Sequence, residues 1–409
     1  MHDNTDSRIL IDGYGRRIDY LRISLTDKCN LRCAYCMPAE GVGLMSHSDI
    51  LSLEETVRLA GIMTEMGIRR IRLTGGEPLV RKGVVSLVEK LGALPAQPEL
   101  AMTTNGVFLA EKLEELTACG MRSFNISLDT LDRECFHKLT GTDALTKVLD
   151  SIDKALEAGC EVKLNCVPLK GINDRELPAL LAYAGEREIP LRFIELMPIG
   201  CGSRLEGMSR EEVLEALGAD LIRHPEQSAE DRIPRLASLA RNDNRECHPE
   251  RSAEDRIPRL ASLARNDNRE CHPERSAEDR IPRLASLARN DNRECHPERS
   301  ERSERSRGIF PSGPSRYLRF NGADIGFISP LSHSFCGSCN RIRLTADGQL
   351  KLCLCYPDGP DLKKLLREGA ADCEIEEEIR KAILKKPERH CFTTAGKAAE
   401  DRRMFEIGG

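Results

Sequence analysis

The chain has 409 residues, of which 31% are charged, and a formal net charge of −5. That length supports one large domain or two ordinary ones, and the near balance of charge excludes a global field that would recruit nucleic acid or anionic lipid. The opening residues include Asp3, Asp6, Arg8, Asp12, Arg16 and Arg17 and so hold no signal-peptide core, and no apolar run approaches the roughly 18 residues of a membrane helix. The seventeen cysteines are therefore expected in a reducing, cytoplasmic setting, where thiols stay reduced or bind metal.

From residue 21 to residue 197 short apolar runs alternate with amphipathic stretches. Strands are predicted over 21–25, 68–73, 100–103, 123–128, 161–167 and 190–196, with helices between them, among others over 53–66, 147–158 and 176–186. Leu53, Val57, Leu59, Ala60 and Met63 make one apolar face of the first of these helices. Six βα units in series predict an α/β fold with a parallel sheet under covering helices, and the hand of the crossovers favours a partial (β/α)6 TIM-like barrel. Chemistry in such folds gathers at the C-terminal ends of the strands. Polar clusters fall there at 74–78, 103–106, 127–129, Asn165 and 195–197. Cys119, Cys135, Cys160 and Cys166 sit singly in apolar segments and read as buried small hydrophobes.

Residues 224–307 are a different kind of sequence. A unit beginning His-Pro-Glu recurs at His224, His248 and His272, a fourth copy begins at His296, and the three full copies differ only at Gln227. Each 24-residue unit has few apolar residues and many charges of both signs, so the block reads as a solvated insertion with at most a short helix over 235–240. A small solenoid is the alternative, since three or more units could stack. The block's Cys247, Cys271 and Cys295 are read as adventitious. The expected organisation is an N-terminal arm over 1–20, the barrel over 21–200, a connecting helix over 201–223, the insertion, and a C-terminal α+β domain over 308–409.

Two cysteine sets carry chemistry. Cys29, Cys33 and Cys36 follow the first strand at a Cys-x3-Cys-x2-Cys spacing. Three thiolates on one loop can grip three irons of a cubane and leave the fourth open, whereas a zinc knuckle prefers a fourth ligand that no nearby pair supplies. Thr74-Gly75-Gly76-Glu77-Pro78 follows the second strand; its glycines allow a ligand close to the backbone, and Glu77 offers a carboxylate to a cationic group. The second set is Cys336-x2-Cys339 with Cys353 thirteen residues on, across an Asp347-Gly348 hairpin turn. Cys355 points to the opposite face if that strand is regular. A structural zinc with Cys355 as fourth ligand stays open for this set.

The first triad and the Gly-Gly-Glu-Pro turn resemble the radical S-adenosylmethionine (SAM) superfamily. With Cys336-Gly-Ser-Cys-Asn-Arg-Ile-Arg-Leu, the upstream Leu-Arg-Ile-Ser-Leu-Thr-Asp and the terminal Ile407-Gly408-Gly409, the chain resembles the GTP 3′,8-cyclase family (molybdopterin biosynthesis protein A) from about residue 13 to its end, the repeat block excepted. The resemblance implies a lyase with two [4Fe–4S] clusters, held by the two triads, and SAM on the open iron of the first. A 5′-deoxyadenosyl radical would take the ribose C3′ hydrogen of GTP. The C3′ radical would attack C8, giving (8S)-3′,8-cyclo-7,8-dihydroguanosine 5′-triphosphate, the first step of molybdenum cofactor biosynthesis.

By the same resemblance Gly76, Ser127 and Met197, with the backbone of Tyr35, would line the SAM site. Arg22, Arg72, Thr103, Lys163, Arg341 and Arg343 would meet GTP from strand ends, Arg343 and Arg341 also serving catalysis together with the Gly408-Gly409 tail. Arg70 stands where the family commonly has lysine. A reductant or electron-donor protein and a downstream cyclic pyranopterin monophosphate synthase are the implied partners, and a homodimer is compatible with the sequence. Two other readings stay open at this point: another radical SAM enzyme with an auxiliary cluster, such as a peptide modifier, and a zinc-stabilised binding protein.

Overall fold

The computed structural model describes residues 9–38, 41, 43, 45–218, 316–320, 322–356, 359–392 and 402–408. The repeat block, with its cysteines and the short helix expected over 235–240, lies outside the described residues, as does Gly409.

A short ribbon of β1 (Leu10–Ile11) and β2 (Arg17–Ile18) opens the chain. Six βα units follow. They run β3 (Tyr20–Ser24), α1 (Leu53–Glu65), β4 (Arg70–Thr74), α2 (Val84–Gly92), β5 (Glu99–Thr104), α3 (Leu109–Ala118) and β6 (Ser123–Ser127). The series continues through α4 (Arg133–Thr140), α5 (Leu145–Glu157), β7 (Glu161–Cys166), α6 (Leu177–Glu186) and β8 (Leu191–Ile194), with α7 (Arg210–Ala216) beyond. The strands match the six read from the sequence within a few residues, and β3 to β8 pair in parallel in chain order. The last strand stops at Ile194, short of the expected Leu196.

The C-terminal segment joins the same sheet at both edges. β9 (Arg316–Phe320) and β10 (Ala323–Ile328) form an antiparallel pair, and β10 runs parallel to β8. β11 (Arg341–Leu344) lies parallel to β3 at the other edge and returns through the 347–348 turn into β12 (Leu350–Lys351). The hairpin expected from Asp347-Gly348 is formed: Gly348 has φ +86° and its N–H reaches the Thr345 carbonyl at 2.9 Å. Helices α8 (Leu362–Arg367) and α9 (Asp372–Leu384) complete the chain before the strap at 387–392. The result is one open ten-stranded sheet, a partial barrel. Among the described residues no helix is long and apolar enough to cross a membrane.

A parallel sheet covered on both sides reads as continuous apolar runs. This one alternates. Leu21, Ile23, Ile71, Leu73, Phe124, Ile126 and Leu164 are fully buried on the face that the helices cover. The helices supply matching stripes and are started by local caps: Ser52 accepts from Glu55 N while the Glu55 carboxylate accepts from Ser52 N, a capping box that opens α1. The other face carries polar and cationic side chains, and it holds the candidate site.

Candidate active site

The first triad sits on the loop after β3, and its neighbours hold that loop by the backbone. Arg32 N and Ala34 N donate to the carbonyls of Thr140 and Leu139 at 2.7 and 2.8 Å, the exposed end of α4. Between the last two cysteines, Tyr35 Oη donates to Asp129 Oδ2 at 2.7 Å, and Asp129 Oδ1 accepts from Val167 N at 2.8 Å. Burial pushes the Asp129 carboxyl up to about 6. The Cys29 sulfur accepts from Leu31 N at 3.4 Å and from Asn105 Nδ2 at 3.8 Å. Burial first, and the neighbouring thiols next, push Cys33 well up and Cys36 up to about 12. Three half-buried thiols on one loop that repel one another in the charged form are what an iron core relieves, so the donor set fits a cluster.

Gly75 and Gly76 are required by close approach. A Cβ on Gly76 would lie 2.3 Å from the Lys28 carbonyl oxygen, and one on Gly75 2.7 Å from that of Thr26. Gly76 N and Glu77 N donate to those same two residues, Thr26 O and Lys28 O, at 2.7 and 2.9 Å, which seats the turn against the start of the cysteine loop. Glu77 departs from the expectation of a carboxylate open to a cation. It is buried and turned inward, accepting from Leu79 N, Thr104 Oγ1 and Asn105 N, so it ties the ends of β4 and β5 together. Burial pushes its carboxyl up to about 7. Ser127 ends β6 opposite Asn165, and the carbonyls of Met197 and Tyr35 both border Gly202, which has no room for a side chain. The expected SAM residues thus stand at the C-terminal end of the sheet, beside the triad loop.

The second triad lies at the other end. β11 runs parallel to β3, and Cys336 and Cys339 precede it, so this turn meets the N-terminal end of β3: Tyr20 N donates to Asn340 O at 3.2 Å. The five residues of β3, at about 3.3 Å each, put roughly 16 Å of strand between the two cysteine loops. Arg16 clamps the turn from the ribbon. Its Nε pairs with Asp12 at 2.6 Å, Nη1 donates to Cys336 O at 2.7 Å and Glu388 O at 2.9 Å, and Nη2 to Pro387 O at 2.7 Å. The strap closes over the sulfurs, with His390 N donating to Cys336 Sγ at 3.4 Å. Both His390 ring nitrogens are buried without a hydrogen-bond partner among the described residues, as in a site shaped for a group beyond the polypeptide. Cys355 differs from expectation. Residues two apart in a strand share a face, so the opposite-face expectation misapplied the strand period; the strand ends at Lys351, the chain bends, and the Cys355 sulfur lies 3.7 Å from that of Cys353.

Between the triads runs a belt of cations. Register places Arg343, Arg22 and Arg72 side by side on β11, β3 and β4, and Arg341 beside Tyr20 one pleat nearer the second triad. Parity continues this face through Thr103, Asn125, Lys163 and Asn165 to Arg192 on β8. Arg22 and Arg72 are mid-strand, inside the barrel, and not at strand ends as expected. Arg72 donates to Tyr20 Oη and to Met102 O, Lys163 pairs with Glu161, and Arg341 stacks on the Tyr20 and Phe335 rings at 5.6 and 5.4 Å. Burial, then the neighbouring arginines, depress Arg22 well below its usual range; burial and Arg341 bring Arg343 down to about 10. A guanidinium keeps its proton in proteins. The depression of both arginines reflects the cost of gathering buried cations, which a polyanion would relieve. Arg70, in contrast, is spent on Glu99 at the edge of the belt.

Arg192 was not among the residues singled out in the sequence. Its Nε and Nη2 are buried without a hydrogen-bond partner among the described residues, and Gly326 makes room for it, since a Cβ there would lie 2.9 Å from Arg192 Cγ. A lone arginine in the apolar run Leu191-Arg-Phe-Ile was the available signal. Asp129 lay in the strand-end cluster at 127–129 without a role, and the clamp that Arg16 makes had no local signal, because Cys336, Pro387 and Glu388 are remote from it in sequence. The C-terminal tail reaches the same interior: Arg343 Nη1 donates to Gly408 O at 2.6 Å, and a Cβ on Gly408, whose φ is +74°, would meet Ser24 and Thr74 at 3.1 Å. Of the four lone cysteines, Cys160 and Cys166 are buried as expected, while Cys119 and Cys135 are only half-buried.

Comparison with known proteins agrees with this geometry. Residues 23–184 match the Radical SAM superfamily and residues 282–392 match Molybdenum Cofactor Synthesis C, so the class is that of a radical SAM enzyme. GTP 3′,8-cyclase of Clostridium perfringens (strain 13) is 36% identical over 400 residues, covering 97% of this chain and 99% of its own length. GTP 3′,8-cyclase of Pseudomonas putida (strain W619) is 38% identical over 409 residues, covering 99% of both. The chain belongs to the GTP 3′,8-cyclase family. That membership decides between the two enzyme readings left open by the motifs.

Proposed function

We propose that this chain converts GTP to 3′,8-cyclo-7,8-dihydro-GTP, with the nucleotide lying along the cationic face between the two triads. The single observation that carries the reading is that face: buried arginines from four strands, gathered between two thiol triads at opposite ends of one strand. Arginine forks suit phosphate oxygens. Arg22, Arg72, Lys163, Arg192 and Arg343 would bind the triphosphate, and Arg341 would face the base end beside the second triad. Cys29, Cys33 and Cys36 would hold the first cluster and Cys336, Cys339 and Cys353 the second. When bound, the first cluster and SAM supply a one-electron cleavage that delivers a 5′-deoxyadenosyl radical to ribose C3′.

The rest is the work of the polypeptide. Gly76, Ser127, Met197 and the Tyr35 backbone would hold SAM at the C-terminal end of the sheet. Thr103 would contact GTP from β5. The Gly408-Gly409 tail, anchored through Arg343, would fill the space beside the reacting sugar without a side chain and keep water from it. A reductant or electron-donor protein supplies the electron, and a cyclic pyranopterin monophosphate synthase takes the product. The test is anaerobic reconstitution of the full chain with iron and sulfide, then incubation with SAM, GTP and dithionite. Mass spectrometry should detect 5′-deoxyadenosine and the cyclised nucleotide together, with about eight irons per chain. Iron-loaded protein that yields neither product would overturn the proposal.

A further inference from the structure

Beyond the triad at the second site, one more thiol stands against Cys353 and another lies behind it. Cys355 is fully buried, with its sulfur 3.7 Å from that of Cys353. Cys391 lies against Cys355 on the other side. Its N–H donates to Cys355 Sγ at 2.9 Å, and its own sulfur reaches the Cys355 carbonyl at 3.1 Å. The strap thus gives two successive N–H groups to two sulfurs, His390 N to Cys336 and Cys391 N to Cys355. A backbone N–H aimed at each sulfur fixes where that sulfur lies. Cys355 therefore receives from the strap what a triad member receives, although it lies outside the triad spacing.

The cause is the end of β12. In a regular strand residues 353 and 355 would share a face with their sulfurs a full pleat repeat apart, roughly 6.6 Å. The bend after Lys351 brings them to about half that separation. One iron can be reached by either sulfur after a small side-chain rotation, while two sulfurs this close suit one metal atom better than two corners of a cubane.

We propose that Cys355 is a reserve ligand of the second cluster, able to take the iron that Cys353 holds. The inference rests on the reading of Cys336, Cys339 and Cys353 as the second cluster's ligands. No net redox change is involved: one thiolate–iron bond breaks, another forms, and the displaced Cys353 thiolate takes the proton that Cys355 gives up. Such an exchange would let the site keep its iron while a single ligand is lost or modified.

The test uses the full chain, reconstituted anaerobically, with iron counted per chain and the reduced clusters followed by electron paramagnetic resonance. Cys353→Ala should keep about eight irons with an altered second-cluster signal, while Cys339→Ala and the double variant Cys353→Ala/Cys355→Ala should each fall to about four. If Cys353→Ala falls to about four, like the double variant, the reserve role is overturned. If Cys339→Ala keeps about eight, the assignment of the second triad fails instead, and the inference falls with it. A second measurement spares Cys353 altogether. In Cys355→Ser, iron should leave the second site to a chelator several-fold faster than in the wild type, with release from the first site unchanged; equal rates at the second site would overturn the proposal. Cys166→Ala, buried and remote from that site, controls for the loss of a buried sulfur.

Discussion

The loop of Cys29, Cys33 and Cys36 and the turn of Cys336 and Cys339 stand at opposite ends of neighbouring parallel strands, and different contacts hold them. The first loop is fixed by elements of the barrel itself, through α4 carbonyls, Asp129 and Asn105. The second is fixed by the ends of the chain: Arg16 lies 320 residues before Cys336, and the strap that caps the sulfurs comes after α9. One site is thus built by local topology and the other by long-range closure. The insertion at 224–307 falls between the parts of the second arrangement and leaves the first in one uninterrupted stretch.

The sharpest way to break this comparison is to remove one cysteine from each site. Cys29→Ala should abolish 5′-deoxyadenosine formation altogether, whereas Cys339→Ala should retain it and lose the cyclised nucleotide. Parallel product analysis by mass spectrometry would separate the two. Loss of deoxyadenosine in both variants would mean that the ends of the barrel do not act separately.

Arg16→Ala tests the closure. It leaves Asp12 buried without its partner, and breaking a buried pair costs about 3–5 kcal/mol. Denaturant melts should show that loss, and iron analysis should show depletion confined to the second site. Equal depletion at both sites would erase the distinction between local and long-range support.

The belt between the sites can be probed without touching either. Arg192→Ala removes a cation with buried N–H groups, and charged hydrogen bonds contribute about 1.5–3 kcal/mol. The expected effect is a fall in kcat/KM for GTP of about 10- to 100-fold, with SAM binding unchanged. Arg70→Lys, at the belt's edge and paired with Glu99, should change it little.

The smallest effect is expected at the support of the first loop. Asp129→Asn keeps the shape of the side chain and replaces one charged hydrogen bond to Tyr35, so SAM should bind about fivefold more weakly, near 1 kcal/mol. Isothermal titration with the cluster in place would measure it. A positioning role predicts normal iron content and a raised KM for SAM with kcat nearly kept; loss of iron would show that Asp129 holds the loop's fold instead.

Much of this was legible along the chain. The βα alternation, the two triad spacings and the hairpin turn are local patterns, each set by the nearest few residues, and they appear in the structure within a residue or two. Glu77 shows where local reading stops. Its place after Gly75-Gly76 suggested an open carboxylate, yet the donors that claim it come from β5 and the loop after it, 27 and 28 residues away. Cys355 was misplaced for a different reason: residues two apart share a face of a strand, so the period correctly applied already sets it beside Cys353, and only the end of the ladder at Lys351 decides how close the two sulfurs come.

By itself, the sequence determined the chemistry available and the order of elements, because ligand type, turn residues and apolar period are properties of short segments. Tertiary structure alone decided which cations share a face, since that depends on the register of strands far apart in the chain. It also decided that the triads stand at opposite ends of one strand, because β11 enters the sheet beside β3 after more than 300 intervening residues. Closure of that kind is fixed by where side chains such as Arg16 find their partners, and no local pattern encodes it.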